Sequence, residues 1–181
     1  MTELLIRQAD AGDIAALCAL LFEHGPNPWN HLPEAEVRAH LQAIADGSVQ
    51  AVLAERGGQR ESGGEPLGMV SYRLSRDFAR YQPEARREQL HAYICEAVVH
   101  RDAAGQGLGA RLLQQAVEHL AGQGVQDIYI DRHEENAASA GMMRKAGFVE
   151  LDTFPDPARR PNGSGRTTVC CLRLAADAAE G

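Results

Sequence analysis

The chain has 181 residues, 44% hydrophobic and 24% charged, with a formal net charge of -7. That length suits one domain with a sizeable core, and the acidic balance argues against general affinity for nucleic acid or an anionic membrane, since both reward a basic footprint. No apolar run reaches the ~20 residues of a membrane span, and the opening MTELLIRQAD lacks the apolar stretch of a secretory leader, so a cytoplasmic location is expected.

In chain order, LLIRQA (4–9) reads as a strand and Asp10 can cap the next helix. Ile14, Leu17, Cys18 and Leu21 recur at helical spacing, marking an amphipathic helix that ends near His24. GPNPWNHLP (25–33) is a loop, with Pro33 placed to open a second helix. That helix turns Val37, Leu41, Ile44 and Ala45 inward, and Gly47 stops it. Val49, Ala51 and Leu53 alternate as in a strand, 57–66 is a polar glycine-rich turn, and LGMVSYRLS (67–75) is the next strand, giving an antiparallel hairpin with a long loop. Residues 76–90 are charged and irregular, whereas AYICEAVV (92–99) reads as a central strand.

A glycine stretch then feeds a helix to about Ala121. DIYID (127–131) is a strand, and Asn136 begins a helix ending before Gly147. FVELDTF (148–154) and RTTVCCLRL (166–174) are the last two strands, and 175–181 is a frayed tail. The order β-α-α-β-β-β-α-β-α-β-β predicts a single α/β domain over 1–174: a mixed, mostly antiparallel sheet with helices on both faces. The apolar TVCCL segment admits pairing across a homodimer or an internal place in the sheet.

Metal chemistry is not expected. Cys18, Cys95, Cys170 and Cys171 show no metal-ligand spacing and read as buried thiols of a reducing compartment. RHEEN begins like a zinc-protease helix, but Ala137 stands where a second histidine is needed.

Gly105, Gly107 and Gly109 crowd the threshold of a good helix, where each costs stability relative to alanine. A strand-to-helix loop aims unpaired N–H groups and the positive end of the helix dipole at one point, and glycines let a phosphate approach that point. Gly105 to Ala110 therefore reads as a cradle for a phosphate or pyrophosphate, or simply as a tight turn. GQGLGA also fits the dinucleotide pattern G-x-G-x-x-A. Too little chain and only one further clear helix follow Gly109 to build a Rossmann sheet.

ICEAVVHRDAAGQGLGARLL followed by ENAASAGMMRKAGF resembles the GCN5-related N-acetyltransferase (GNAT) superfamily, whose element order is also the one above. The resemblance implies acetyl-CoA as cosubstrate, its pyrophosphate held by backbone amides from about Gly105 to Ala110, that is by Gly105, Gln106, Gly107, Leu108, Gly109 and Ala110. The family motif R/Q-x-x-G-x-G/A falls on Ala104, Gly107 and Gly109, so the side chain of its first position is missing. The resemblance further implies that two parallel strands splay after the fourth strand, with the Val98 N–H toward the thioester carbonyl and Val99 along the pantetheine arm. His100 belongs to the loop beside them, and Asn136 contacts the pantetheine amides while also serving as a helix cap.

Met143 stands where the family often has a tyrosine that protonates the leaving thiolate. Methionine donates no proton, and its expected work is packing against Phe148. Glu96, the sole carboxylate of strand 92–99, is the candidate base or amine-positioning group, because burial would raise its pKa. The resemblance implies an acceptor side to which Trp29, His31 and Tyr93 belong as candidates, with Trp29 read equally as an anchor of its loop. The expected reaction is direct acetyl transfer to a small-molecule amine, less readily to a protein. A non-catalytic acyl-CoA-binding or partner-binding domain is the alternative suggested by Met143 and Ala104.

Overall fold

The computed structural model describes residues 3–57 and 65–175. The 57–66 turn and the 175–181 tail expected from sequence therefore lie mostly outside the described residues.

Among the described residues seven strands form one sheet: β1 (Leu4–Gln8), β2 (Gln50–Arg56), β3 (Gly68–Ser75), β4 (His91–Val99), β5 (Asp127–His133), β6 (Val149–Pro155) and β7 (Arg166–Arg173), in the spatial order β1-β2-β3-β4-β5-β7-β6. Every neighbouring pair is antiparallel except β4 and β5. The parallel pair is short, covering only Ala92↔Ile128, Tyr93↔Tyr129 and Ile94↔Ile130. Beyond Ile94 the two strands diverge, leaving the Cys95–Val99 edge of β4 open toward β5. β7 is interior, so TVCCL spends its apolar side chains inside the sheet.

Among the described residues, four α-helices cover the two faces. α1 (Ile14–His24) and α2 (Glu34–Gln42) bury Leu17, Leu21, Val37 and Leu41 against Ala51, Leu53, Met69 and Val98. α3 (Leu108–Gly122) and α4 (Ala137–Lys145) bury Leu112, Leu113, Leu120 and Met143 against Val70, Tyr72, Ile94 and Ile130 on the other face. The expected Asp10 cap is a capping box with Asp13, closing the 3₁₀ turn that leads into α1.

Two local expectations need correcting. The second helix tightens into a 3₁₀ turn at Ala43–Asp46 before Gly47 ends it at φ +80°. The change of pitch keeps Ile44 inside but turns Ala45 out to solvent. The fifth strand runs two residues past Asp131 because Arg132 and His133 keep pairing with Thr168 and Thr167.

One irregularity sets the chemistry of β4. Ser71 pairs with Glu96 and Tyr72 with Ile94, so Cys95 is an extra residue, a β-bulge. Strand side chains alternate faces with period two, and one extra residue inverts everything beyond it. Ala92 and Ile94 face α3, as do Ala97 and Val99 after the bulge. Glu96 and Val98 are thereby turned to the α1/α2 face, beside Ser71 and Met69, their β3 partners.

Candidate active site

β4 ends at Val99, and a loop with a 3₁₀ turn at Arg101–Ala103 delivers the chain to α3. Gly105 and Gly107 both sit at φ +77°, a left-handed conformation that side chains with a Cβ rarely adopt. Gly107 is the N-cap of α3 and offers no side-chain cap. The first helical bond runs from Arg111 N–H to Gly107 C=O at 3.1 Å, so helix geometry leaves the N–H groups of Leu108, Gly109 and Ala110 without an internal partner. Among the described residues nothing lies within 4 Å of a Cβ built on Gly105 or Gly107, so the cradle is open.

Gly109 is bare for another reason. A Cβ there would stand 2.6 Å from Met142 Sδ, so this glycine makes room for α4. The side chains of Leu108 and Ala110 are buried in the core, and only their backbone can serve the cradle.

From the cradle a groove of about 330 Å³ runs along the open edge of β4, lined by Ala97, Val98, Val99, Ala104, Gly109 and Met142. Asn136 also lines it. Asn136 is buried and its Oδ1 accepts from Ser139 N–H at 3.1 Å, capping α4. Gln106 is exposed at the cradle's edge. His100 holds the loop, since its Nδ1 accepts from Asp102 N–H at 3.1 Å and its ring stacks on His24 at 3.9 Å. His24, Glu65 and His100 bring ligand-type atoms within 4.8 Å of one another. Yet His24 Nδ1 accepts from Arg101 N–H, as His100 Nδ1 does from Asp102, so in the neutral rings both Nε2 atoms carry the proton and have no lone pair for a metal.

A second pocket of about 270 Å³ opens further along β4 and meets the groove at Asn30, Ala97, Asn136, Ser139 and Met142. Its walls bring together Glu96, Tyr93, Arg73, His40 and His31, with Asp131 and Arg159 behind. The Glu96 carboxyl makes no hydrogen bond among the described residues, and burial, reinforced by the Asp131 charge, pushes it up to about 7. Arg159 pairs with Asp131 at 3.0 Å, and Tyr93 O–H points at both Asp131 oxygens at 3.3 Å. Burial first, then Asp131, holds the Tyr93 hydroxyl well above its usual range. Arg73 is paired with Asp77 at 2.6 Å and lies over the Tyr93 ring. Met143 is buried in the α3/α4 core in the same cluster as Phe148, whose N–H bonds the Met143 carbonyl at 3.0 Å.

The structure thus brings Glu96, Tyr93 and His31 into one pocket and Val98, Val99, Ala104 and Gly109 into the adjoining groove, with Asn136 at the junction. Trp29 stands apart from both. Its ring packs at a tilt against His133, centroids 4.6 Å apart, and against Gly163, tying the α1–α2 loop to the β6–β7 loop. Sequence reasoning missed His40, Arg73 and Asp131. A signal existed for His40, which lies three residues beyond Val37 on the inward stripe of α2. None existed for Asp131, whose partner Arg159 is 28 residues away.

The profile of the Acetyltransferase (GNAT) family matches residues 14–148. An L-methionine sulfoximine/L-methionine sulfone acetyltransferase of Pseudomonas paraeruginosa is 28% identical over 160 residues, covering 86% of each chain, and its counterpart in Pseudomonas aeruginosa is equally similar. Among solved structures, the Arabidopsis thaliana NAA60 complex with acetyl-CoA superposes with a TM-score of 0.75 at 14% identity over 95% of this chain and 99% of that one. The ribosomal-protein-S18-alanine N-acetyltransferase of Escherichia coli superposes with a TM-score of 0.72 at 16% identity over 99% of both.

Proposed function

The chain belongs to the acetyltransferase (GNAT) family and is an N-acetyltransferase that works from acetyl-CoA, and we propose that it acetylates the amino group of a small, amino-acid-like molecule by direct transfer. The observation that carries this reading is the meeting of two pockets along the open edge of β4, with an unpaired carboxyl, Glu96, on the side away from the glycine cradle. Acetyl-CoA supplies an activated acyl group whose leaving atom is a thiolate.

The residues present fit that cosubstrate. The open cradle at Gly105–Gly107 and the uncapped start of α3 offer N–H donors to a pyrophosphate. The β4 edge beyond Ile94 has no strand partner on the β5 side, so main-chain donors and acceptors around Val98 are free to meet amide and carbonyl groups of the pantetheine arm. The amine nucleophile must be neutral, and Glu96 is placed to take the proton it sheds. Met143, at the position where the family often has a tyrosine, lines the acceptor pocket but has no proton to give the leaving sulfur. A thiolate needs little help to leave, because a thiol pKa of about 8.5 is close to the working pH. Ser139, at the junction of groove and pocket, is the nearest hydroxyl on α4.

Two features support a small acceptor with an acidic group. The loops 25–33 and 156–165 that rim the pocket are hydrogen-bonded to each other, through Asn162 Nδ2 to Pro28 C=O at 2.8 Å and Arg160 Nη1 to Trp29 C=O at 3.3 Å, so a peptide lying across the rim would have to part them. Arg73 on the pocket wall keeps its guanidinium beside Tyr93, where a carboxylate could reach it. The Pseudomonas relatives are named for amino-acid substrates, which agrees with this reading.

Release of free thiol from acetyl-CoA, followed across amino acids, methionine sulfone and sulfoximine, aliphatic amines, polyamines, aminoglycosides and short peptides, tests it. The highest kcat/KM is expected among the amino acids. Turnover confined to peptides or polyamines would overturn the acceptor assignment.

A further inference from the structure

His40 enters the pocket from α2, and its Nε2 lies 2.8 Å from the Ser71 hydroxyl on β3. Hydrogen-bond accounting fixes the direction of this contact. Ser71 is fully buried, and its Oγ has no other partner among the described residues. Were Nε2 the donor, the Ser71 O–H would be left inside the protein with no acceptor, which is costly for a buried hydroxyl. The arrangement that strands nothing has Ser71 O–H donating to Nε2, which places the ring proton on Nδ1.

Nδ1 has no protein partner among the described residues, and it differs from the orphaned nitrogens of His24 and His91, which are sealed from solvent. It is reachable, and His40 lines the pocket of Glu96, Arg73 and Tyr93. Burial, with the Arg73 charge second, pushes His40 down to about 4, so the ring is neutral at physiological pH. A neutral ring with its proton on Nδ1 presents one fixed N–H donor. Such a donor, close to a guanidinium, suits an oxygen lone pair and has nothing to offer an ammonium or a hydrocarbon.

We propose that His40, set in one tautomer by Ser71, is the specificity contact of the acceptor pocket: its Nδ1–H donates to an oxo oxygen carried by the amine substrate. Ser71 is a positioning residue that acts through the ring. The inference rests on the acceptor-pocket reading above and adds to it a required chemical feature of the substrate. That oxygen can belong to a carboxylate or to a sulfonyl or similar side-chain group.

Two matched pairs of acceptors separate those sources: an amino acid against its decarboxylated amine, and L-methionine sulfone against L-methionine. Steady-state kinetics with wild type, His40→Phe, His40→Gln and Ser71→Ala read the effect, with CoA affinity by calorimetry and Tm as checks on folding. In one pair, His40→Phe is expected to raise KM for the oxo-bearing member about ten- to thirty-fold, as loss of one hydrogen bond in a desolvated site does. The oxo-free member should keep its KM. His40→Gln, which restores an N–H donor, should recover part of the loss. Ser71→Ala should show a smaller KM effect on the same member and add little to His40→Phe. A His40→Phe effect equal for both members of each pair, or a loss of kcat at constant KM, overturns the proposal while leaving the acetyltransferase reading intact. Wild-type failure to turn over any amine would instead remove the acceptor-pocket reading, and this inference with it.

Discussion

Glu96 shows how one residue's chemistry depends on a backbone defect next to it. Without the bulge at Cys95, strict alternation would put residue 96 on the same face as Ile94, in the apolar layer under α3. The extra residue turns it to the acceptor pocket, where it is desolvated but reachable. With its carboxyl pushed up to about 7, ionisation, and hence the power to take a proton from the amine, grows through neutral pH. Glu96→Gln is expected to lower kcat by about 10²- to 10⁴-fold, to leave CoA affinity within about twofold, and to abolish the rising limb near pH 7 in kcat; any limb that remains belongs to the amine itself. An unchanged kcat would remove Glu96 from the mechanism. The same shift has a stability consequence of definite sign. The folded protein holds this proton up to about pH 7, whereas the unfolded chain releases it near the ordinary value of 4.5. The Glu96 contribution to stability should therefore fall as pH rises from about 4.5 to 7 and level off above that, by up to a few kcal/mol, against an opposite slope from His40, whose depressed pKa favours folding as pH rises. Glu96→Gln should lack that decline, and Tm measured for both proteins at pH 5 and pH 8 decides it.

At the scale of the element, the β4–α3 segment carries three glycines with two different jobs. Gly105 and Gly107 have a backbone conformation that alanine adopts only at a cost of about 1–2 kcal/mol, with free space where the methyl would go. Gly109 has ordinary helical geometry and faces Met142 Sδ. Gly107→Ala should therefore lower Tm by a few degrees and raise the Kd for CoA at least tenfold. Gly109→Ala, which gains helix propensity but displaces Met142, should change Tm little and disturb groove and pocket together, because Met142 lines both. Wild-type CoA affinity in Gly107→Ala would contradict the cradle. This element is also where the sequence was most legible. Apolar spacing places α3 on its sheet face, and the glycine run marks its start, because both are local signals. The bulge is not legible: ICEAVV has no glycine or other mark at Cys95, and the extra residue is defined only against its β3 partner. The work of Gly109 is likewise hidden, since Met142 lies 33 positions along the chain and meets it only once α3 and α4 are packed.

At the scale of the whole molecule, the pocket depends on contacts between segments more than a hundred residues apart. The family resemblance made Trp29 an acceptor-side candidate, but in the fold it meets the last loop instead. Trp29 packs against His133 and sits 2.9 Å from where a Gly163 Cβ would stand, while its carbonyl and that of Pro28 accept from Arg160 and Asn162. His133 in turn donates from Nε2 to the Asn162 carbonyl at 2.7 Å, and Glu135 accepts from Ser164 N–H at 2.7 Å. Arg160 is buried against Thr167 and close to Asp131, so the clasp runs from the rim down to the wall behind Glu96. No pattern in one stretch of chain foretells such a closure, because its members lie in three segments and their pairing is a property of the packed sheet. If the clasp is what limits the acceptor's size, loosening it should change selectivity before it changes chemistry. Trp29→Ala removes the ring contact but no charged group. It is expected to lower Tm by several degrees, to raise KM for small acceptors about tenfold as the two loops lose their preferred spacing, and to leave KM for acetyl-CoA within about twofold, since Trp29 borders neither the groove nor the cradle. Measured on the same panel of amines, the ratio of kcat/KM for a short peptide over a free amino acid should rise in the variant. A ratio that stays constant while acceptor KM climbs would mean that the clasp holds the pocket's shape without gating what enters. If both held their wild-type values at a lower Tm, Trp29 would be an anchor of the fold and nothing more.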